Sequence, residues 1–224
     1  MKLSIVVPMW NEAAILPGLL DHLLPFARQG AEVILVDGGS EDGSAELARS
    51  AGFTVLQAAR GRARQMNAGA AKASGDVLLF LHADTRLPAG ASMLIEQALA
   101  EGRSVWGRFD VRIEGTSGWF PVITWLMNQR SRLTGIATGD QAIFVTRKAF
   151  AEVGGFPDQP LMEDVEISIR LKRLSPPACL RARVVTSGRR WETRGVWRTI
   201  LLMWSLRLRY FLGTSPDVLA RAYR

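Results

Sequence analysis

Apolar residues run almost unbroken through three short stretches, Leu3-Ser4-Ile5-Val6-Val7, Val33-Ile34-Leu35-Val36 and Val77-Leu78-Leu79-Phe80-Leu81. Runs of this length mark strands buried on both faces, as in a parallel sheet. The pattern predicts strands over 3–8, 32–37, 53–57 and 77–82, alternating with helices over 12–28, 41–51, 62–74 and 90–101. Such alternation with short connections predicts an α/β fold, a Rossmann-type, mostly parallel sheet with helices on both faces. Asn11 is the expected cap of the first helix, and Ser40 or Asp42 of the second. After residue 104 the rhythm changes. Strands are expected over 105–113, 141–146 and 182–187, a helix within 118–133, and further helices over 162–174 and 196–212. No repeat, low-complexity segment or linker divides the chain, so both halves are expected to share one sheet.

Two strands end in acids. The run to Val36 closes in Asp37-Gly38-Gly39-Ser40, and the run to Leu81 in His82-Ala83-Asp84-Thr85. Ligands of open α/β sheets bind at the carboxyl edge. A carboxylate there is suited to hold a divalent cation against a phosphate. Asp37 is a candidate acceptor for a base imide or ribose hydroxyl, against the plainer role of shaping the turn. The turn is not a dinucleotide fingerprint, because the Gly-x-Gly-x-x-Gly spacing fails at Ser40. Pro8 ends the first strand and sets Asn11 and Glu12 at the edge. Arg60, Arg62 and Arg64 precede or open a helix, where positive charge opposes the dipole unless an anion lies nearby. Glu163-Asp164 opens a helix beyond a Gly/Pro-rich loop, and Arg189-Arg190-Trp191 puts two cations and an indole after a strand. His22 reads as a helix-surface residue and Met203-Trp204 as packing.

Composition narrows the partners. The net charge of +7 fits nucleic acid, anionic lipid or a phosphorylated substrate. With no zinc framework, basic zipper or aromatic sheet motif, nucleic acid is not an expected partner. The single Cys179 excludes an internal disulfide and suits a reducing cytosol. No run reaches about 18 uncharged apolar residues, so no membrane span is expected. Segment 193–212 is unusual. Arg194, Arg198, Ser205 and Arg209 form one narrow polar stripe, and most of the remaining circumference is apolar. It is expected to lie buried against the sheet, or to make a peripheral membrane contact or a homodimer; Arg207, on its apolar side, would meet a headgroup or a partner's carboxylate.

The ordered series Pro8…Asn11-Glu12, Asp37-Gly38-Gly39-Ser40, Asn67-Ala68-Gly69, His82-Ala83-Asp84, Gly139-Asp140-Gln141 and Gly154-Gly155-Phe156…Glu163-Asp164 resembles the family 2 glycosyltransferases, in particular small bacterial members. The resemblance spans residues 3–191 and implies a GT-A-like fold, a nucleotide-diphosphate sugar donor and inversion at the anomeric carbon. It implies that Pro8, Glu12 and Asp37 hold the nucleoside, that Asp84 holds a divalent metal (Mn or Mg) with the diphosphate, and that Asp164 is the base. The sequence departs from that pattern in three places. His82 replaces the first acid of Asp-x-Asp, as a second candidate metal ligand. Met66 replaces an Arg before Asn67, so Arg62 or Arg64 would supply that contact. Ser187 opens what would be a Gln-x-x-Arg-Trp motif, leaving Arg190 and Trp191 as candidate donor contacts.

The expectation is a metal-dependent inverting glycosyltransferase acting on an unidentified acceptor hydroxyl. It is placed in the cytoplasm or peripherally on the inner face of the cytoplasmic membrane. Its single domain would comprise a nucleotide-binding half (1–104), an acceptor and catalytic half (105–191) and a C-terminal helix and tail (192–224). The alternatives are a sugar-nucleotide nucleotidyltransferase, which needs a triphosphate loop that 8–12 does not supply, and a non-catalytic sugar-nucleotide sensor.

Overall fold

The computed structural model describes residues 1–223. Strands β1 (Leu3–Met9), β2 (Glu32–Asp37), β3 (Thr54–Gln57) and β4 (Val77–Phe80) pair in parallel in the order β3-β2-β1-β4. Their intervening helices are α1 (Leu16–Arg28), α2 (Ser44–Ser50) and α3 (Arg62–Lys72). The short β5 (Thr85–Arg86) and α4 (Ala91–Ala100) follow. The second half adds β6 (Trp106–Glu114), α5 (Phe120–Thr134), a 3₁₀ turn Gly139–Gln141, β7 (Phe144–Thr146), α6 (Arg147–Glu152), α7 (Glu163–Leu171) and β8 (Ala178–Ser187). Helices α8 (Arg189–Arg194), α9 (Val196–Phe211) and α10 (Pro216–Tyr223) close the chain. The strands of both halves join one eight-stranded sheet, continued as β4-β7-β6-β8-β5. Strand β7 is antiparallel to both neighbours and β5 is antiparallel to β8. The mostly parallel character therefore resides in the first half and in the β6–β8 pair.

The alternating side chains of a strand explain the unbroken apolar runs. Ile5 and Val7 of β1, and Val77 and Leu79 of β4, pack on one face with α1, α2 and α4. Val6, Leu78 and Phe80 pack on the other, with α3, α6 and α7. Helix α3 lies very close to the sheet. A Cβ at Gly69 would stand 2.3 Å from Val6 Cγ1, so only glycine fits there. Gln65, buried on the same helix, donates through Nε2 to the carbonyls of Met9 (2.7 Å) and Val36 (2.8 Å). This ties the start of α3 to the carboxyl ends of β1 and β2.

Several boundaries differ from expectation for local reasons. Helix α1 begins at Leu16, not residue 12, because Asn11 takes φ 52° and does not cap it. Asn11 instead accepts from Glu41 N and donates from its own N to Ser40 Oγ, lacing two loops at the sheet edge. Helix α2 begins at Ser44, after a left-handed Gly43 and without a side-chain cap; Asp42 accepts from Ser44 N and Ala13 N in the loop. Strand β7 is shorter than expected because Gln141 is engaged in the 3₁₀ turn, whose Thr138 it caps reciprocally. Strand β8 is longer, starting at Ala178. His22 is not a free surface residue. Its Nε2 accepts from Leu87 N at 2.9 Å, and burial together with Arg86 lowers its pKa, as suits a neutral acceptor.

Candidate active site

A cleft of about 220 Å³ opens at the carboxyl edge of the sheet. Its floor comes from the ends of β1, β4 and β8, which present Pro8 and Glu12, His82 to Asp84, and Thr186 and Ser187. One wall is the 138–140 turn and the start of α7, with Glu163 and Asp164. The opposite wall is C-terminal: Arg190 and Trp191 from α8, Thr199, Met203, Leu206 and Arg207 from α9, and Tyr223 from α10.

Of the residues expected at the site, Pro8, Glu12, Arg62, His82, Asp84, Asp164, Arg190 and Trp191 all line this cleft. Three do not. Asp37 is buried, and its carboxylate accepts from the backbone N–H groups of Gly39 and Ser40 and from the Ser40 hydroxyl, so the turn consumes it. Arg64 points away from the cleft to an exposed ion pair with Asp158 at 2.7 Å. Asn67 pairs reciprocally with the backbone of Phe156, donating to its carbonyl (2.8 Å) and accepting from its N–H (3.0 Å). Its work is to pin the loop that leads into α7. Between the two arginines offered for the same contact, Arg62 is the one that faces the cleft.

Charge is concentrated here. Burial, and then the charge of Asp84, raise the Glu12 carboxyl above its ordinary value, against the pull of Arg189 and Arg62. Burial and the adjacent Asp164 likewise raise Glu163, whose nearest cation is Arg62 at 4.0 Å. Burial acts to raise Asp140, but its contact with His82 (Nδ1 to Oδ1, 3.3 Å) and the charges of Arg62 and Arg207 prevail and hold it low. Asp164 is oriented by the backbone. Its Oδ2 accepts from Gly139 N at 2.9 Å and its Oδ1 from Val165 N at 2.7 Å. One N–H on each oxygen leaves each with acceptor capacity toward the cleft.

His82 lines the cleft next to Asp84. Its ring packs against Gly139, where a Cβ would stand 2.3 Å from Cε1 and Nε2, and its Nδ1 meets Asp140. That packing lets His82 support the 139–141 turn. Among the described residues no group of three His, Cys, Asp or Glu side chains encloses a metal. The residues present nonetheless fit a cation of the kind that binds by one or two carboxylates and completes its shell with substrate phosphates and water. Asp84 is exposed in the cleft, and its charge is already felt by Glu12.

Two cations were not anticipated at the site. Arg207, expected to meet a headgroup or a partner's acid, faces the cleft beside Asp164 and Asp140; burial lowers its pKa and those acids oppose the shift. Behind it Arg130 of α5 is pushed down to about 10 by burial and by Arg207, with Nε and Nη2 buried and unpartnered. Met203, expected only to pack, also lines the cleft. The sequence signal for Arg207 was its isolation in the apolar part of α9, which marks an inward face as well as an outward one.

The curled α/β sheet with an acidic cleft at its carboxyl edge defines the GT-A type of glycosyltransferase. Solved structures agree on the fold. The mannosyltransferase PcManGT from Pyrobaculum calidifontis, in complex with GDP-Man and Mn2+, superposes with a TM-score of 0.65 at 20% identity, covering 99% of this chain and 68% of that one. S. aureus TarS 1-349 in complex with UDP gives 0.66 at 18% identity, over 84% of this chain and 60% of that one. The profile of Glycosyl transferase family 2 matches residues 4–153, and the chain belongs to that family. Among curated relatives is the undecaprenyl-phosphate 4-deoxy-4-formamido-L-arabinose transferase of Aeromonas hydrophila, 34% identical over 128 residues, which are 52% of this chain and 39% of that protein. The enzyme of the same name from Serratia proteamaculans is 32% identical over 154 residues, 62% of this chain and 46% of its own length. The matches thus span less than half the length of these two relatives.

Proposed function

We propose that the cleft transfers a sugar, with inversion, from a nucleoside-diphosphate donor to an acceptor oxygen. The observation that carries this reading is the convergence, on one cleft, of Glu12, Asp84 and Asp164 with Arg62 and Arg190. The nucleoside lies along Pro8 and Glu12, and Arg62 and Arg190 bind the diphosphate oxygens. A divalent cation held by Asp84 offsets charge on the departing diphosphate when it is bound. Asp164 takes the proton of an acceptor hydroxyl, its carboxylate aimed by the Gly139 and Val165 N–H groups. The Trp191 indole offers an apolar face to a sugar ring, and the nucleotide-bound neighbours support sugars linked to uridine or guanosine diphosphate as the first donors to try.

A second reading of the acceptor is favoured by Arg207 and Arg130, two cations close to Asp164 beyond those assigned to the diphosphate. They suit an acceptor that itself carries a phosphate, as the names of the curated relatives do. A phosphate oxygen is already ionised and needs no base, so the two readings separate in one experiment. With a hydroxyl acceptor, Asp164→Asn lowers turnover by roughly 10²–10⁴-fold at unchanged donor affinity. With a phosphate acceptor, Asp164→Asn costs little and Arg207→Met raises the acceptor KM. Wild-type protein that binds donor but transfers sugar to neither class of acceptor would leave a sugar-nucleotide sensor and overturn the transferase reading.

A further inference from the structure

Helix α9 is apolar on two sides, with Ile200, Leu202, Met203 and Leu206 packed inward. Its polar and cationic inward groups, Thr199 and Arg207, line the cleft or its edge together with Met203 and Leu206. Its outward stripe is Trp197, Leu201, Trp204, Leu208, Phe211 and Leu212, each 59–76% exposed. At about 100° per residue these six fall within an arc of about 100°. A surface helix ordinarily turns its apolar stripe to the core. The surface continues onto α5 and the residue before it. Trp119, Val122, Trp125 and Leu126 are 48–59% exposed, and the Trp119 and Trp197 rings pack edge to face at 4.9 Å. Four of the seven tryptophans of the chain therefore stand on one outer surface. Contiguous exposed apolar surface of this kind marks an interaction site.

Charge selects the partner. Neither residues 193–216 nor residues 115–139 contain an Asp or Glu. Arg198 is exposed and Arg209 half-buried on the flank of the apolar stripe. A symmetric pair of such surfaces would set cation against cation, so a second copy of this chain is disfavoured. Tryptophan with arginine around an apolar helix face matches the boundary between anionic headgroups and acyl chains. No helix among the described residues is long and apolar enough to cross a membrane, which leaves a helix lying in the surface plane.

We propose that the outer faces of α9 and α5 dock on an anionic lipid bilayer, with α9 forming the wall between that bilayer and the cleft. The proposal does not rest on the transferase reading, because vesicle binding needs neither donor nor acceptor. The test is flotation of the full chain with phosphatidylcholine vesicles, with and without about 30% phosphatidylglycerol, at low and high salt. The wild type is expected to float with the anionic vesicles only, less at high salt, with a blue shift of tryptophan emission. Trp204→Ser/Leu208→Ser, outside the cleft, is expected to cut the bound fraction about tenfold while keeping the wild-type circular dichroism. Arg198→Glu is the second variant, should the first fail to fold, and is expected to weaken binding at low salt. Wild-type protein that stays at the bottom with both vesicles would overturn the proposal. So would variants that float like wild type, or a wild-type dimer that Trp204→Ser converts to monomer.

Discussion

Glu163 and Asp164 are neighbours with different surroundings, and the difference is testable. Asp164 is held by two backbone N–H groups, whereas Glu163 is buried with its nearest cation 4.0 Å away. Glu163 is an acid whose folded pKa is raised, so above its ordinary value the folded protein holds more protons than the unfolded chain. Stability is therefore lost as pH rises from about 4.5 through the raised value. Glu163→Gln removes that charge. Its midpoint of thermal unfolding at about pH 7.5 should exceed that of wild type, with the advantage shrinking as pH falls toward about 4. A lower midpoint at neutral pH would mean that the Arg62 pair outweighs burial. Single-residue roles were the least legible level in the sequence. Asp37 and Asp84 both follow buried strands, yet a glycine-rich turn folds back on the first and leaves the second open. Which lone pairs a loop consumes depends on backbone geometry that the residue types do not report.

At the scale of elements, the parallel half was readable because β1, β2 and β4 are buried on both faces, and short continuous apolar runs between turn residues are the mark of such strands. Helix starts shift from the sequence pattern where loops bond to each other rather than cap, as Asn11 does with Ser40 and Glu41. Helix α9 was legible as an oddly apolar helix, but its cleft-facing side was not, because Arg207 gives no sign from sequence of which wall it joins. The close fit of α3 to β1 gives an element-scale prediction. Gly69→Ala would set a methyl 2.3 Å from Val6 Cγ1 and force the helix outward. Destabilisation by about 1–3 kcal/mol is expected in urea unfolding. Arg62 and Gln65 ride on that helix, so donor affinity should fall as well. An unchanged unfolding midpoint would show that the sheet yields at no cost.

For the molecule as a whole, the order of motifs foretold that two acid-ended strands share an edge with a helix-borne acid pair. The structure adds what sequence order cannot show, a wall of α8, α9 and α10 folded back over the cleft and carrying Arg190, Arg207 and Tyr223 into it. Tyr223 stacks under the Arg190 guanidinium at 3.7 Å, so the end of the described chain touches a proposed diphosphate ligand. On the proposed function, this cleft binds a nucleoside diphosphate with a divalent cation at Asp84. Calorimetric titration of UDP or GDP into wild type and Asp84→Ala, each with and without Mn2+, tests it most directly. Metal-dependent binding by the wild type is expected, weakened at least about tenfold in the folded variant, a loss of about 1.4 kcal/mol or more. Equal, metal-dependent affinity in the two proteins would contradict it.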